Sequence, residues 1–326
     1  MPRFGAHLSV APYAPPATGR RTKTAPKPAT VSGPVTALLR AADLGCDTVQ
    51  FFLRPNRQWH AAELTDADVT AFRAAFAASA ETGRAIRPVV SHASYLINLA
   101  GPPGERPAGG DSPGSGAVRD VRRLSIEALI DELRRAAMLG VPYVVLHPGN
   151  HLGDGEELGL RRTVEALDEV LNTVGDPSVS LLLETTAGQG TCVGHRLEHL
   201  AWILAHSAHA DRLAVCADTC HLFAAGYDLR TAEGYEATVR EIDRTVGLAR
   251  LRLWHLNDCL RECGSGVDRH THIGRGRIGR AGFRRLVTDL RFADCPMILE
   301  TPKEDDAGRA MDPVNLRTLR RLMIPR

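Results

Sequence analysis

The seven cysteines of this 326-residue chain (Cys46, Cys192, Cys216, Cys220, Cys259, Cys263 and Cys295) are odd in number and include no Cys-x-x-Cys pair. That pattern excludes a thiolate zinc ribbon and argues against a disulfide framework, leaving reduced loop or core thiols. Neither sign of charge dominates: 40 Lys+Arg stand against 38 Asp+Glu, a formal net charge of +2. The chain as a whole is therefore not committed to a polyanion or a membrane surface, and any polyanion must be met by a local patch. No run approaches the roughly 18 uninterrupted apolar residues of a membrane span. The opening MPRFGAHLSV lacks the apolar core of a secretory signal. A cytoplasmic protein without membrane association is expected. The remaining composition, 44% hydrophobic, 24% charged and only 5% aromatic, is that of an ordinary soluble globular protein.

Also missing is a glycine-rich phosphate loop after the first apolar run, which disfavours a doubly wound open sheet. What is present is a repeated unit. Short runs rich in leucine and β-branched residues cover 3–8, 47–52, 87–92, 142–147, 179–184, 213–218, 251–255 and 296–300. Between them lie segments of helical period, such as Ile126, Leu129, Ile130, Leu133 and Ala137, or Val164, Leu167, Leu171 and Val174. A last helix is expected after residue 300, with Asp312 as N-cap and Pro313 as first helical residue. Eight strand and helix units define a (β/α)₈ TIM barrel, here one domain over 1–326 with its active site at the C-terminal ends of the strands. Residues 11–34 and 101–118, rich in Pro and Gly, break the pattern and are expected to be irregular loop insertions on that face. The first holds Arg20, Arg21, Lys23 and Lys27 and no acid, which suits phosphate contact.

Six of the eight runs end in a residue able to bind a metal: His92, His147, Glu184, Asp218, His255 and Glu300. In a barrel these ends converge on one face. Carboxylates gathered there without a cation would repel, so the set as a whole reads as a nitrogen and oxygen metal site, best suited to zinc. His221 follows Asp218 by three positions and reaches the same side from a first helical turn. Asp268 and His270 in VDRHTHIGRG project together from an extended segment; His272 continues the alternation, and spacing alone does not choose between His270 and His272. Nine such ligands exceed the four of one zinc and point to two or three ions, which suits phosphoryl displacement. His195, His199, His206 and His209 lie in or near a helical segment and read as structural.

In order along nearly the whole chain, GAHLSVA, PNRQW, SHASYLINL, LHPGNHL, LLETTAGQGT, ADTCHLFAAGYDL, WHLNDC, GSGVDRHTHIGRGRIG and ILETP resemble segments of the endonuclease IV family of apurinic/apyrimidinic-site endonucleases. The resemblance implies three zinc ions. His92, His147 and Glu184 would hold the first; Glu184 would bridge to the second, completed by Asp218, His255 and Glu300. His221, Asp268 and His270 would hold the third, which selects His270 over His272. It implies hydrolysis of the phosphodiester 5′ to an abasic site in duplex DNA, leaving a 3′-hydroxyl and a 5′-deoxyribose phosphate. Removal of 3′ blocking groups is implied as well, with Glu184 and Glu300 in catalytic roles. Arg57 and Gln58 of PNRQW and Tyr95 and Leu96 of SHASYLINL match the side chains that enter the duplex and turn out the abasic nucleotide. A monomer is expected by family precedent. Two departures stand out: Ala93 replaces the usual Asp, which would leave the orientation of His92 less fixed, and Arg275 stands where an acid is common. The alternative is a divalent-metal sugar isomerase or epimerase on the same barrel using Glu184, Asp218, His255 and Glu300. It gives no use for the other five ligands or for PNRQW.

Overall fold

The structure, a computed structural model, describes residues 2–14, 30–81, 85–107 and 118–324. Eight parallel strands close into a barrel: β1 (Arg3–His7), β2 (Thr48–Phe52), β3 (Val89–His92), β4 (Tyr143–Leu146), β5 (Ser180–Glu184), β6 (Leu213–Asp218), β7 (Leu251–Leu256) and β8 (Pro296–Leu299). Each pairs with its neighbours in sequence, and β1 closes the ring with Gly5 opposite both Thr48 of β2 and Ile298 of β8. A Cβ on Gly5 would lie 2.0 Å from the Thr48 carbonyl oxygen, so only glycine lets these two strands approach. Every expected strand is present, with ends displaced by at most two residues.

Around the barrel run α1 (Val35–Asp43), α2 (Asp66–Glu81), α3 (Val121–Leu139), α4 (Glu156–Val174), α5 (Leu197–His206), the short α6 (Thr219–Ala224), α7 (Ala232–Thr245), α8 (Gly279–Thr288) and α9 (Asp312–Leu322). Their apolar stripes, such as Ile126, Leu129 and Leu133 of α3, pack on the outward faces of the strands in one continuous core. α3 starts where Asp120 accepts a hydrogen bond from the Arg123 amide and stops at Gly140, whose φ of 74° ends the helix in the left-handed region.

A second apolar cluster fills the barrel interior: Val90, Val145, Leu182, Ala214, Cys216, Leu253 and Ile298. Strand side chains alternate with period two. Stepping two residues on from Val90, Val145, Leu182, Cys216, Leu253 and Ile298 reaches His92, His147, Glu184, Asp218, His255 and Glu300. The dry layer thus forms a floor, and the six chemically active ends stand one layer above it.

Three expectations change. Insertion 101–118 is not wholly irregular: Glu105–Pro107 pairs antiparallel with Val118–Asp120, because the chain must return to the α3 cap, where Asp120 also accepts from the Gly104 amide. Around insertion 11–34, Tyr13 and Val31 exchange backbone hydrogen bonds in an antiparallel bridge, while Arg20, Arg21, Lys23 and Lys27 lie outside the described residues. Helix α9 begins one residue early: Met311 occupies the cap, and Asp312 is the first helical residue, its carboxylate taken by Lys303 Nζ at 3.0 Å rather than by a helix amide.

Candidate metal centre

All nine expected ligands meet at the C-terminal mouth of the barrel. Glu184, with no exposed surface, lies at the middle. Its Oε2 is 3.1 Å from His92 Nε2 and 3.0 Å from His147 Nε2, and its Oε1 is 2.9 Å from His255 Nδ1 and 3.4 Å from His221 Nδ1. Glu300 Oε2 is 3.2 Å from the same His255 nitrogen. Asp268 joins the last two histidines, with Oδ2 at 3.2 Å from His221 Nε2 and Oδ1 at 3.1 Å from His270 Nε2. Asp218 Oδ2 lies 3.8 Å from His270 Nε2.

Local sequence explains how Asp218, His221 and His270 are placed. Asp218 ends β6 and caps α6, accepting from the His221 amide at 2.9 Å, so Asp-x-x-His delivers both side chains from one helical turn. Asp258–Cys259 pairs antiparallel with His270–Thr271, and this ribbon folds His270 back over the barrel mouth. His272 faces away: its Nδ1 lies 3.3 Å from Asn315 Nδ2 of α9.

Do these residues fit metal ions? The protonation pattern says yes. His92 Nδ1 lies 2.7 Å from the Ala93 carbonyl, His221 Nδ1 lies 2.8 Å from the Thr185 carbonyl, and His255 Nε2 lies 2.9 Å from Gln50 Oε1. An oxygen can only accept, so each of these nitrogens is the donor, and in the neutral imidazole that a metal requires the other nitrogen is a lone pair aimed into the cluster. His270 Nε2 is buried, and its 3.1 Å approach to Asp268 Oδ1 is an ion pair without hydrogen-bond geometry. Among the described residues, donor atoms close enough to share an ion occur in the groups His92–His147–Glu184, Glu184–Cys216–His255, Asp218–His221–His270 and Cys220–Asp268–His270. The missing carboxylate at Ala93 therefore leaves His92 oriented all the same, through the backbone carbonyl of that residue.

Electrostatics reports the same demand for positive charge. Burial opposes ionisation of His270, but Asp218 and Asp268 outweigh it and push the imidazole up to about 9. His221 and His255 rise in the same way against their burial, His221 through Asp218 and Asp268, His255 through Cys216, Glu300 and Glu184. Burial acts to raise Glu184 and Glu300; the facing imidazoles, His255 first, nevertheless hold both below the ordinary carboxylate range.

Four residues not singled out from sequence complete the mouth. Gln50 Nε2 donates to Glu300 Oε1 at 2.5 Å, and His7 Nδ1 lies 3.1 Å from the same oxygen. Asn257 donates to Asp218 Oδ2 at 2.6 Å and accepts from the Glu300 amide at 3.0 Å. Asp258, in the ribbon itself, has a buried side chain that collects the amides of Cys259, Gly274, Gly276 and Ile278 at 2.9–3.0 Å. His7 and Gln50 lie opposite each other in the β1–β2 register. The two-residue alternation places them in the ligand layer, but their runs continue to Leu8 and Phe52 and hide them.

A cleft of ≈ 250 Å³ opens over the cluster, lined by His92, Tyr95, His147, Asn150, His221 and Asp268 among others. Tyr95, half exposed at the rim, sets its ring edge-on to His92 at 5.3 Å. Leu96 beside it is half-buried, and Arg57 and Gln58 are exposed in the loop after β2. Trp59 packs against the core. The histidines read as structural keep local partners: His206 stacks on Trp202, His209 reaches Asn172, and His199 Nδ1 accepts from the Gly194 amide, so its Nε2–H donates to Glu156. His195, Glu156 and His199 do bring donor atoms together, but that proton on His199 ties the group as a hydrogen-bonded link between α4 and α5.

A barrel floor of apolar residues beneath a buried histidine and carboxylate cluster able to coordinate metal ions defines a TIM-barrel enzyme. The family model described as a xylose isomerase-like TIM barrel matches residues 38–321. The chain is 45% identical over 323 residues to the probable endonuclease 4 of Chloroflexus aurantiacus, covering 99% of each, and 45% identical over 284 residues to that of Geobacter sulfurreducens, covering 87% and 88%. The crystal structure of endonuclease IV from Thermus thermophilus matches over 99% of both chains with a TM-score of 0.75 at 37% identity. A D-tagatose 3-epimerase-like protein, at 18% identity and a TM-score of 0.60, shares the fold alone. The chain belongs to the endonuclease IV family and is an AP-endonuclease-type hydrolase of DNA repair. The sugar isomerase reading gives way to this one.

Proposed function

We propose that three zinc ions occupy the cluster and that the enzyme hydrolyses the phosphodiester 5′ to an abasic site in duplex DNA, leaving a 3′-hydroxyl and a 5′-deoxyribose phosphate. It also removes blocking groups from 3′ ends. The observation that carries the reading is the convergence of nine side chains able to ligate a metal, five of them histidines, of which His92, His221 and His255 have the distal nitrogen tied off by an oxygen acceptor. His92, His147 and Glu184 would hold the first ion; Glu184, Asp218, His255 and Glu300 would hold the second; His221, Asp268 and His270 would hold the third. Zinc supplies Lewis acidity, activation of water near neutral pH and a clamp on the oxygens of the reacting phosphate.

The chain's own groups set the geometry. Glu300 Oε1 is fixed by Gln50 and His7, which leaves Oε2 inward to orient the attacking water and take its proton. Glu184 positions four imidazoles at once. Attack at phosphorus forms one P–O bond and breaks the bond to the 3′ oxygen, which takes up a proton as it leaves. Arg57, Gln58, Tyr95 and Leu96 enter the duplex at the lesion and hold the abasic nucleotide over the cleft. The enzyme works as a monomer on DNA in the cytoplasm, where its free thiols stay reduced; no described helix is long and apolar enough to cross a membrane.

Elemental analysis of metal per chain, paired with incision of a duplex carrying one abasic site before and after chelation, tests this. About three zinc ions and chelator-sensitive incision 5′ to the lesion are expected. One or two ions of another metal, or no incision, would overturn it.

A further inference from the structure

Beneath the cleft, one turn of α3 holds both loops assigned to the duplex. Arg54 is 8% exposed and sits at the start of the loop that carries Arg57 and Gln58. Its Nη2 donates to the Trp59 carbonyl at 2.6 Å, across the base of that loop, and its Nη1 pairs with Asp131 of α3. Arg135, one turn on, donates to the same Asp131 oxygen at 2.7 Å. The second loop is tied next door: the Ser94 amide donates to Glu132 Oε1 at 3.2 Å. The Ser94 hydroxyl then joins the loops to each other, donating to the Asn56 carbonyl at 3.1 Å while accepting from the Leu96 amide at 3.3 Å.

We infer that Arg54, Asp131 and Ser94 are positioning residues for lesion recognition, mounting the Arg57–Gln58 loop and the Tyr95–Leu96 loop on α3 as one unit. The inference rests on the assignment of those four side chains to the duplex. Loops that must order on binding lose affinity to conformational entropy, and loops already held at their working spacing do not. A buried guanidinium that satisfies a carbonyl on one side and a carboxylate on the other serves that purpose, since losing either partner leaves a buried polar group unpaired. The device acts on binding: its hydrogen bonds run between the two loops and α3, and none is made to the clustered imidazoles.

The test uses full-length zinc-loaded enzyme and a duplex with one tetrahydrofuran abasic analogue beside 2-aminopurine, whose fluorescence rises when its stacking is broken. Arg54→Ala and Ser94→Ala should each weaken binding, Arg54→Ala by about tenfold, and reduce the fluorescence rise. Zinc content and the single-turnover rate at saturating enzyme should stay at the wild-type level. Arg54→Lys, which can keep one of the two bonds, should fall between Arg54→Ala and wild type. Unchanged affinity and fluorescence in Arg54→Ala and Ser94→Ala would overturn the inference, as would parallel loss of zinc and rate, which would mark a general structural role. Should Arg54→Ala fail to fold, Ser94→Ala decides alone. Wild-type enzyme that leaves the duplex uncut refutes the underlying functional reading instead, and does so before any variant is made.

Discussion

The Oδ2 atom of Asp258 lies 3.0 Å from the Gly276 amide nitrogen, and a Cβ on Gly276 would come within 2.5 Å of the other oxygen of that carboxylate. The glycine-rich GRGRIG turn is therefore wrapped around a buried anion, which also takes the amides of Gly274 and Ile278 at the entrance to α8. The segment so anchored carries Asp268 and His270. Asp258→Ala should strip the acceptor from several buried amides and cost roughly 3 kcal/mol in denaturant unfolding. It should also release one zinc of three, while the ions assigned to His92, His147 and Glu300 stay. Full zinc retention in a folded Asp258→Ala protein would show that the loop is held by other contacts.

Glu184→Gln addresses the centre of the cluster. The substitution keeps volume, so melting should change little, but it removes the charge that faces four imidazoles. Cleavage of abasic duplex should fall by at least about a thousandfold. Turnover near the wild-type level would count against Glu184 as a bridging ligand, whatever the zinc content.

Which parts of this were legible in the chain follows from period two. Val90 and His92, Leu182 and Glu184, or Leu253 and His255 advertise one strand face in sequence, so the ligand layer could be read without coordinates. His7 and Gln50 obey the same alternation but are followed by Leu8 and by Phe51 and Phe52, so no boundary marks them. Asp258 escaped because its partners are backbone amides up to 21 residues on, as in its 3.0 Å bond from Ile278 and its 3.3 Å bond from Gly279, and amides carry no sequence signature. The same holds for the Trp59 and Asn56 carbonyls that Arg54 and Ser94 reach. The ribbon between Glu105–Pro107 and Val118–Asp120 lay in sequence rich in Pro and Gly, where turn signals outweigh strand propensity.

Tyr95→Ala separates recognition from metal binding. The ring stands at the rim, 5.3 Å from both Phe52 and His92, and donates no hydrogen bond to a ligand. Affinity for abasic duplex should drop by roughly tenfold or more, as expected for one lost stacking contact, with zinc content unchanged. Equal loss of both, measured on the same preparation, would assign Tyr95 to the support of His92.

Glu132 of α3 provides a pH signature outside the metal cluster. It has no exposed surface, its Oε1 accepts from the Ser94 amide and its Oε2 has no partner. Burial raises its carboxyl from an ordinary value of 4.5 to about 8; Arg54, the Ser94 amide and Arg135 pull the other way, and Asp131 adds to the rise. Below the ordinary value both folded and unfolded chains hold the proton, so the group takes nothing from stability. As pH climbs toward 8 the unfolded chain ionises while the folded one stays neutral, and stability is progressively lost; above 8 the loss levels off. Glu132→Gln keeps the acceptor for Ser94 and cannot ionise. Relative to wild type it should therefore gain stability between pH 5 and 8, by roughly 3 kcal/mol in all. Urea unfolding of both proteins at several pH values checks this, because other titrating groups cancel in the difference. A difference that does not change with pH would mean that Arg54 and Arg135 keep Glu132 ionised, making it a permanent anionic partner of the Arg54 clamp.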